Sequence, residues 1–299
     1  MPSPAHLIKR LNWKVLRPLG HALGGHERSL VFGPGAELEE LREYRPGDDV
    51  RAMDWNVLAR TGQPYIRHAR QDRALDVWLL IDVSPSFNWG TAQMLKRDRA
   101  LEFAYVAAGM LAHFGNRVGA LLFSHRPLRF MPLGTGRKHL SRLVDAITDS
   151  ATAQRDHAGT TDLAAGLHRA FAAIDRKALV FVLSDFITTA PNNWPKKLRK
   201  LAEKHEVVAV HIHDPREREL PDTGMMTFED PETGQQFVVN TRDAKLRARY
   251  KQAALQQAER IRQSVVGSGA AYFSLSTADD LFNTMLHFLE SRRRRIGGR

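Results

Sequence analysis

The sequence predicts an α/β fold: a doubly wound, mainly parallel sheet with an N-terminal loop-rich extension and an inserted β-hairpin. Three observations lead there. From Asp76 onward, short apolar runs of strand length alternate with longer stretches of helical period. Runs such as Asp76-Val-Trp-Leu-Leu-Ile-Asp82 and Ala178-Leu-Val-Phe-Val-Leu183 are apolar at successive positions, so both faces of those strands need cover. Strands that alternate with helices along one chain are joined by right-handed crossovers, which leave them parallel and place helices on both sides of the sheet.

Residues 1–72 are rich in Gly, Pro and charge and have no long apolar period. That shift sets a boundary, with the main domain expected over 73–291 and a basic tail over 292–299. In the first region Pro46-Gly47-Asp48-Asp49 reads as a turn, with Arg42, Arg45, Arg51 and Arg60 facing Glu43, Asp48, Asp49 and Asp54. A structural network of Arg–carboxylate pairs is expected there in preference to a catalytic one, with Trp55 as a packing anchor between the two regions. The first strand, 76–82, leads to a helix over 96–114 that gathers Leu101, Ala104, Tyr105, Ala108 and Leu111 on one face and that Gly115 can end. The next strand, 118–123, is followed by a short return strand over 127–131. Ser124-His125-Arg126 is too brief for a crossover, so this pair should be antiparallel at a sheet edge. Helices fit 137–148 and 162–175, then a strand 178–183, a helix 195–205 and a strand 207–212. Turn residues at 230–234 separate two short strands, 225–229 and 236–240, as an inserted hairpin. A charged helix over 244–266, a strand 271–275 and a helix over 278–290 complete the fold.

Composition narrows the functions. The 299 residues are 43% hydrophobic and 26% charged, enough to fill a core and keep a wet surface. No cysteine is present, which excludes disulfides, zinc–thiolate sites and a cysteine nucleophile, so any metal must rest on oxygen or histidine. No run approaches the length of a membrane-spanning helix and the first ten residues lack a signal-peptide core, so a cytoplasmic protein with no membrane span is expected. The net charge of +11 raises the question of nucleic acid, but the arginines are dispersed. The one dense run, Arg292–Arg295, has no aromatic-and-basic motif beside it and is expected to be a solvated tail.

Ligands of parallel α/β sheets bind beyond the carboxyl ends of the strands, and there the sequence is unusual. The first strand runs into Asp82-Val-Ser84-Pro-Ser86, the strand 178–183 runs into Ser184-Asp185, and Gly159-Thr160-Thr161-Asp162 opens a helix between them. Alternate residues of an extended loop project the same way, so Asp82, Ser84 and Ser86 can converge while Val83 and Pro85 turn aside. Carboxylates and hydroxyls suit a hard cation, Mg²⁺ first and Mn²⁺ or Ca²⁺ besides, and their few formal charges leave room for one acidic ligand from outside. A helix cap or a plain turn is the bland reading of the same residues.

These three pieces resemble the metal-ion-dependent adhesion site of von Willebrand factor A domains. That resemblance implies Ser84, Ser86 and Thr161 as direct ligands and Asp82 and Asp185 as water-bridged or outer carboxylates. It favours Thr161 over Thr160, because Asp162-Leu-Ala-Ala-Gly-Leu167 matches the family's helix start; Gly166 stands where that helix often carries Ala. A second resemblance covers nearly the whole chain. LREYRPGDDVRAMDWNVLAR, from Leu41 to Arg60, is similar to the signature of the bacterial domain of unknown function 58 proteins, and Gly33–Gly35, Ser184-Asp185-Phe186 and Asp214-Pro215 match further pieces. Phe87 replaces the Met common after the last motif serine. Members of that family look like companions of MoxR-type AAA+ ATPases, which implies a protein partner, a MoxR-type ATPase among the candidates, that supplies the acidic residue.

Enzyme signatures are sparse. No Gly-x-Ser-x-Gly elbow occurs, and Gly134-Thr-Gly-Arg-Lys138 lacks the spacing of a phosphate-binding loop. His211 and His213 share a strand face but have no third ligand, which reads as structural. A non-enzymatic interaction module is therefore expected. The alternative is a metal-dependent phosphoester hydrolase using Asp82 and Asp185, although serines sit where hydrolases more often place acids.

Overall fold

The computed structural model describes residues 39–297 except 47, 51–52, 70–73, 93, 114, 126, 154–160, 189–192 and 230–234. The matched glycines Gly33–Gly35, and Gly159 and Thr160 before the third site segment, lie outside the described residues.

The first region contains an antiparallel pair, β1 (Glu39–Glu43) and β2 (Tyr65–Ala69), flanking the short helix α1 (Trp55–Thr61). Asp54 starts α1 by accepting the N–H groups of Asn56 and Val57, and Gly62, at φ 71°, ends it. Asp48 accepts from the Arg45 N–H at 2.7 Å and returns its own N–H to the Arg45 carbonyl at 3.0 Å, at the place of the expected turn, of which Gly47 lies outside the described residues. Trp55 is not a packing anchor. It is 61% exposed, because α1 buries none of its residues and the region turns Ile66 and Asp54 inward instead.

From Asp76 the chain runs β3 (Asp76–Asp82), α2 (Lys96–His113), β4 (Arg117–Phe123), β5 (Pro127–Gly134), α3 (Gly136–Ala153), α4 (Leu163–Ala173), β6 (Leu179–Ser184), α5 (Trp194–Lys204) and β7 (Glu206–His213). The hairpin β8 (Met225–Glu229) and β9 (Gln236–Asn240), then α6 (Ala244–Gly267), β10 (Ala271–Ser276) and α7 (Leu281–Gly297), follow. Six strands form one sheet in the order β10-β7-β6-β3-β4-β5, parallel throughout except for the antiparallel edge strand β5. β5 extends to Gly134, three residues past its expected end, and register shifts along the β4–β5 pair absorb the extra length.

Every residue of β3 is buried. Val77, Leu79 and Ile81 pack with Phe103 of α2, Leu143 of α3 and Met285 of α7; Trp78 and Leu80 pack with Leu167 of α4, Leu198 of α5 and Val265 of α6. Side chains alternate along a strand, so these two clusters lie on opposite faces, each closed by three helices. Burying a large aliphatic side chain fully is worth about 1.5–3 kcal/mol, which is why the central strand needs no polar face. α7 runs on to Gly297 through the arginines expected to form a tail, and Arg292 pairs with Glu206 of β7.

The strand order fixes where a ligand could approach. From β3 the chain steps outward to β4 and β5, then returns to the other side of β3 with β6, β7 and β10. β3 and β6 are thus neighbours whose connections leave in opposite directions, so the position at which sheets of this kind form a ligand crevice lies between their carboxyl ends. Asp82 ends β3 and Ser184 ends β6.

Candidate functional site

Four of the five residues singled out from the sequence meet at that crevice through direct hydrogen bonds or through Ser184. One oxygen of the Asp82 carboxylate accepts the Ser84 N–H at 3.0 Å and the other accepts the Ser184 hydroxyl at 2.9 Å, joining the ends of β3 and β6. Ser86 donates its hydroxyl to Asp185 Oδ2 at 3.1 Å. The Ser84 and Ser86 hydroxyl oxygens are 3.0 Å apart, and since the Ser86 proton points to Asp185, Ser84 is the donor between them. The five-residue stretch is locally sharp: Ser84 precedes a single 3-10 turn, Pro85–Asn88, whose proline supplies the fixed φ such a turn accepts.

Thr161, the fifth residue, is 4% exposed and stands one residue before the Asp162 cap of α4. Its segment is tied to the same rim, because the Asp162 N–H donates to the Ser124 carbonyl at 3.0 Å, just past the end of β4. Ser124 is itself fully buried, and its hydroxyl has no hydrogen-bond partner. Among the described residues no cluster of three or more His, Asp or Glu side chains is arranged around a common point, so a metal at this rim would depend on the hydroxyls.

The turn after β6 is strained. Phe186 has φ 57°, a left-handed conformation a bulky side chain avoids, and its ring is held against Trp194 and His211. The Phe186 N–H bonds Ser184 Oγ at 3.1 Å and the Ile187 N–H bonds Asp185 Oδ1 at 3.0 Å, so the sharp backbone is what aims the Asp185 carboxylate.

Sequence reasoning missed the neighbouring charges. Lys96, the first residue of α2, is 2% exposed, and its ammonium lies 2.8 Å from Asp185 Oδ2 and 2.6 Å from Glu217 Oε1. Burial draws Lys96 down, but the two carboxylates outweigh it and hold the ammonium above its usual range. Burial raises Glu217, partly offset by Lys96. Burial, together with the negative charge of Asp185, pushes Asp82 up to about 7, against the hydrogen bonds from Ser84 and Ser184.

Asp214, past the end of β7, is fully buried and serves as a clamp. It accepts the Thr91 N–H at 2.8 Å, the Thr91 hydroxyl at 2.5 Å and the Thr277 hydroxyl at 2.6 Å, holding the loop before α2 to the ends of β7 and β10. His211 and His213 are interior residues: His211 meets the Tyr272 hydroxyl at 2.7 Å and His213 the Ser274 hydroxyl at 2.9 Å. Burial lowers them to about 4 and about 3, so both are neutral near pH 7, consistent with a structural role.

A mainly parallel α/β sheet with polar residues gathered at its switch point defines the class of protein, and comparison with known proteins defines the family. The family described as "Protein of unknown function DUF58" matches residues 40–260, and the chain belongs to it. An uncharacterized protein of Mycobacterium tuberculosis is 36% identical over 296 residues, covering 98% of this chain and 91% of the relative. Among solved structures, the conserved hypothetical protein BatB from Bacteroides thetaiotaomicron is similar at TM-score 0.50 and 13% identity, covering 74% of this chain and all of that one, which is a likeness of fold. The neighbours include the VWA domain of SpRpn10, at TM-score 0.38 and 13% identity over 72% of this chain and 94% of that one. No helix among the described residues is long and apolar enough to cross a membrane.

Proposed function

We propose that this protein is a cytoplasmic, non-enzymatic interaction module. A divalent cation at the β3–β6 crevice, Mg²⁺ in the first place, accepts an Asp or Glu from a partner protein. The observation that carries the reading is the Ser84–Ser86–Asp185 hydroxyl–carboxylate chain beside Asp82, at the switch point of the sheet. The residues fit a hard ion. The serine oxygens keep lone pairs to give, and a positive charge between Asp82 and Asp185 would relieve the repulsion that raises Asp82. In this reading Ser84, Ser86 and Thr161 are the direct ligands, Asp82 and Asp185 act through water, and the buried unpaired hydroxyl of Ser124 offers a further acceptor close to the same rim. The ion supplies an open coordination position, and the chain's own residues orient it and keep its surroundings dry. The partner we favour is a MoxR-type AAA+ ATPase, on the family resemblance given above.

Calorimetry with Mg²⁺ and Mn²⁺ tests this on the wild type and on a Ser84→Ala, Ser86→Ala double variant, with melting curves to show that the variant folds. Saturable binding lost in a folded variant supports the reading. Absence of binding to the wild type, together with absence of Mg²⁺-dependent association with the ATPase, ends it.

A further inference from the structure

Lys96 places a permanent positive charge where a divalent ion would exert its pull. Its ammonium is within hydrogen-bond distance of Asp185 Oδ2, the same oxygen that receives the Ser86 hydroxyl. That oxygen therefore has both of its in-plane acceptor directions in use. The ammonium has a second anchor, Glu217, and the Phe87 ring lies 5.5 Å from it, so it is fixed on three sides. Glu217 is fixed in turn: its other oxygen accepts the Asp214 N–H at 2.9 Å in a capping box on the short turn after β7. A buried lysine with two carboxylates from two different loops is a built feature, since a single unpaired charge at that depth would be strongly unfavourable.

We infer that Lys96 is the resident cation of this site: it neutralises Asp185 while no divalent ion is bound, and it sets the affinity for that ion by having to release Asp185 and remain on Glu217 alone when the ion arrives. The inference rests on the cation reading above. It assigns the two halves of the lysine's environment different parts. Asp185 is the carboxylate shared between the ammonium and a water on the metal, and Glu217 is the acceptor that keeps the displaced ammonium paired. Weak metal binding by the isolated protein follows from this arrangement, as does tighter binding once a partner's carboxylate adds its charge. Lys96 is a positioning residue in this account and touches no partner.

The test is Mn²⁺ binding by calorimetry, with thermal melts in EDTA and in Mg²⁺, on the wild type, Lys96→Met and Glu217→Gln. Lys96→Met is expected to melt lower than the wild type in EDTA and to gain more from Mg²⁺. Its Mn²⁺ affinity should rise by about tenfold or more, since a like charge within a few ångströms has been removed. Glu217→Gln should bind Mn²⁺ more weakly than the wild type, because the ammonium is left with Asp185 alone, and this arm decides the matter if Lys96→Met does not fold. Binding by Lys96→Met but not by the wild type also supports the inference. Equal or weaker binding by a folded Lys96→Met, with the wild type binding, overturns the role of Lys96 and leaves the cation reading standing. No binding by the wild type or either variant overturns the role of Lys96, and the Mg²⁺-dependent association with the ATPase then decides the cation reading separately.

Discussion

Gly166→Ala should destabilise the protein, although alanine is the better helix former. A Cβ built on Gly166, in the first turn of α4, would lie 2.8 Å from Phe123 Cγ and 3.0 and 3.1 Å from its two Cδ atoms, where about 3.5–4.0 Å is the normal separation. Phe123 is fully buried, so its ring has nowhere to retreat. Overpacking of this kind costs roughly 1–3 kcal/mol, and exchanging glycine for alanine inside a helix returns about 1 kcal/mol; contacts this short against a buried ring put the cost at the upper end, leaving a net loss of up to about 2 kcal/mol. The displacement also matters for the crevice. Phe123 is the register partner of Asp82, its carbonyl accepts the Val83 N–H, and α4 begins two residues after Thr161. Urea unfolding of the wild type, Gly166→Ala, Phe123→Leu and the double variant is the assay. The added methyl should be tolerated once the ring is smaller, giving a coupling of about 1 kcal/mol or more between the two positions. A Gly166→Ala protein more stable than the wild type would refute the reasoning, since α4 would then have room to move off the sheet.

Asp214→Ala should cost about 3 kcal/mol, because two threonine hydroxyls and the Thr91 and Arg216 N–H groups lose one buried acceptor. Amide exchange at Thr91 should speed up with it, and a loss below about 1 kcal/mol in urea unfolding would contradict the clamp. His211 should subtract stability as pH drops below about 6.5, because the unfolded chain takes up a proton there that the folded chain refuses until about 4. From pH 7 to pH 5 that difference amounts to about 2 kcal/mol for His211, and a His211→Gln variant should lose that much less over the same interval. An unchanged pH slope in the variant would show that His211 is not the group concerned.

The sheet was legible because its central strands are covered on both faces, so the composition of 76–82 and 178–183 alone marks them as buried and parallel. The ends of those strands were legible for a related reason: a polar residue at the end of a wholly apolar run stands at a rim, and Asp82 and Asp185 do. Lys96 was illegible because its neighbours Arg97, Asp98 and Arg99 make the start of α2 look like a solvated helix end, and nothing local shows that it is buried. Its burial is decided by partners 89 and 121 residues away, Asp185 and Glu217, which come together only when β6 and β7 fold back beside β3. Trp55 failed in the opposite sense: a large apolar side chain suggests an anchor, but a seven-residue helix held by its Asp54 cap can leave its first residue in water. Gly166 is intermediate. It was visible as a departure from a pattern that often has alanine, and only the Phe123 ring beneath it supplies the reason. Phenylalanine at 123 and glycine at 166 therefore act as one packing unit, and a chain that carried alanine at 166 would need a smaller residue at 123 to keep the crevice at the end of β3 in place.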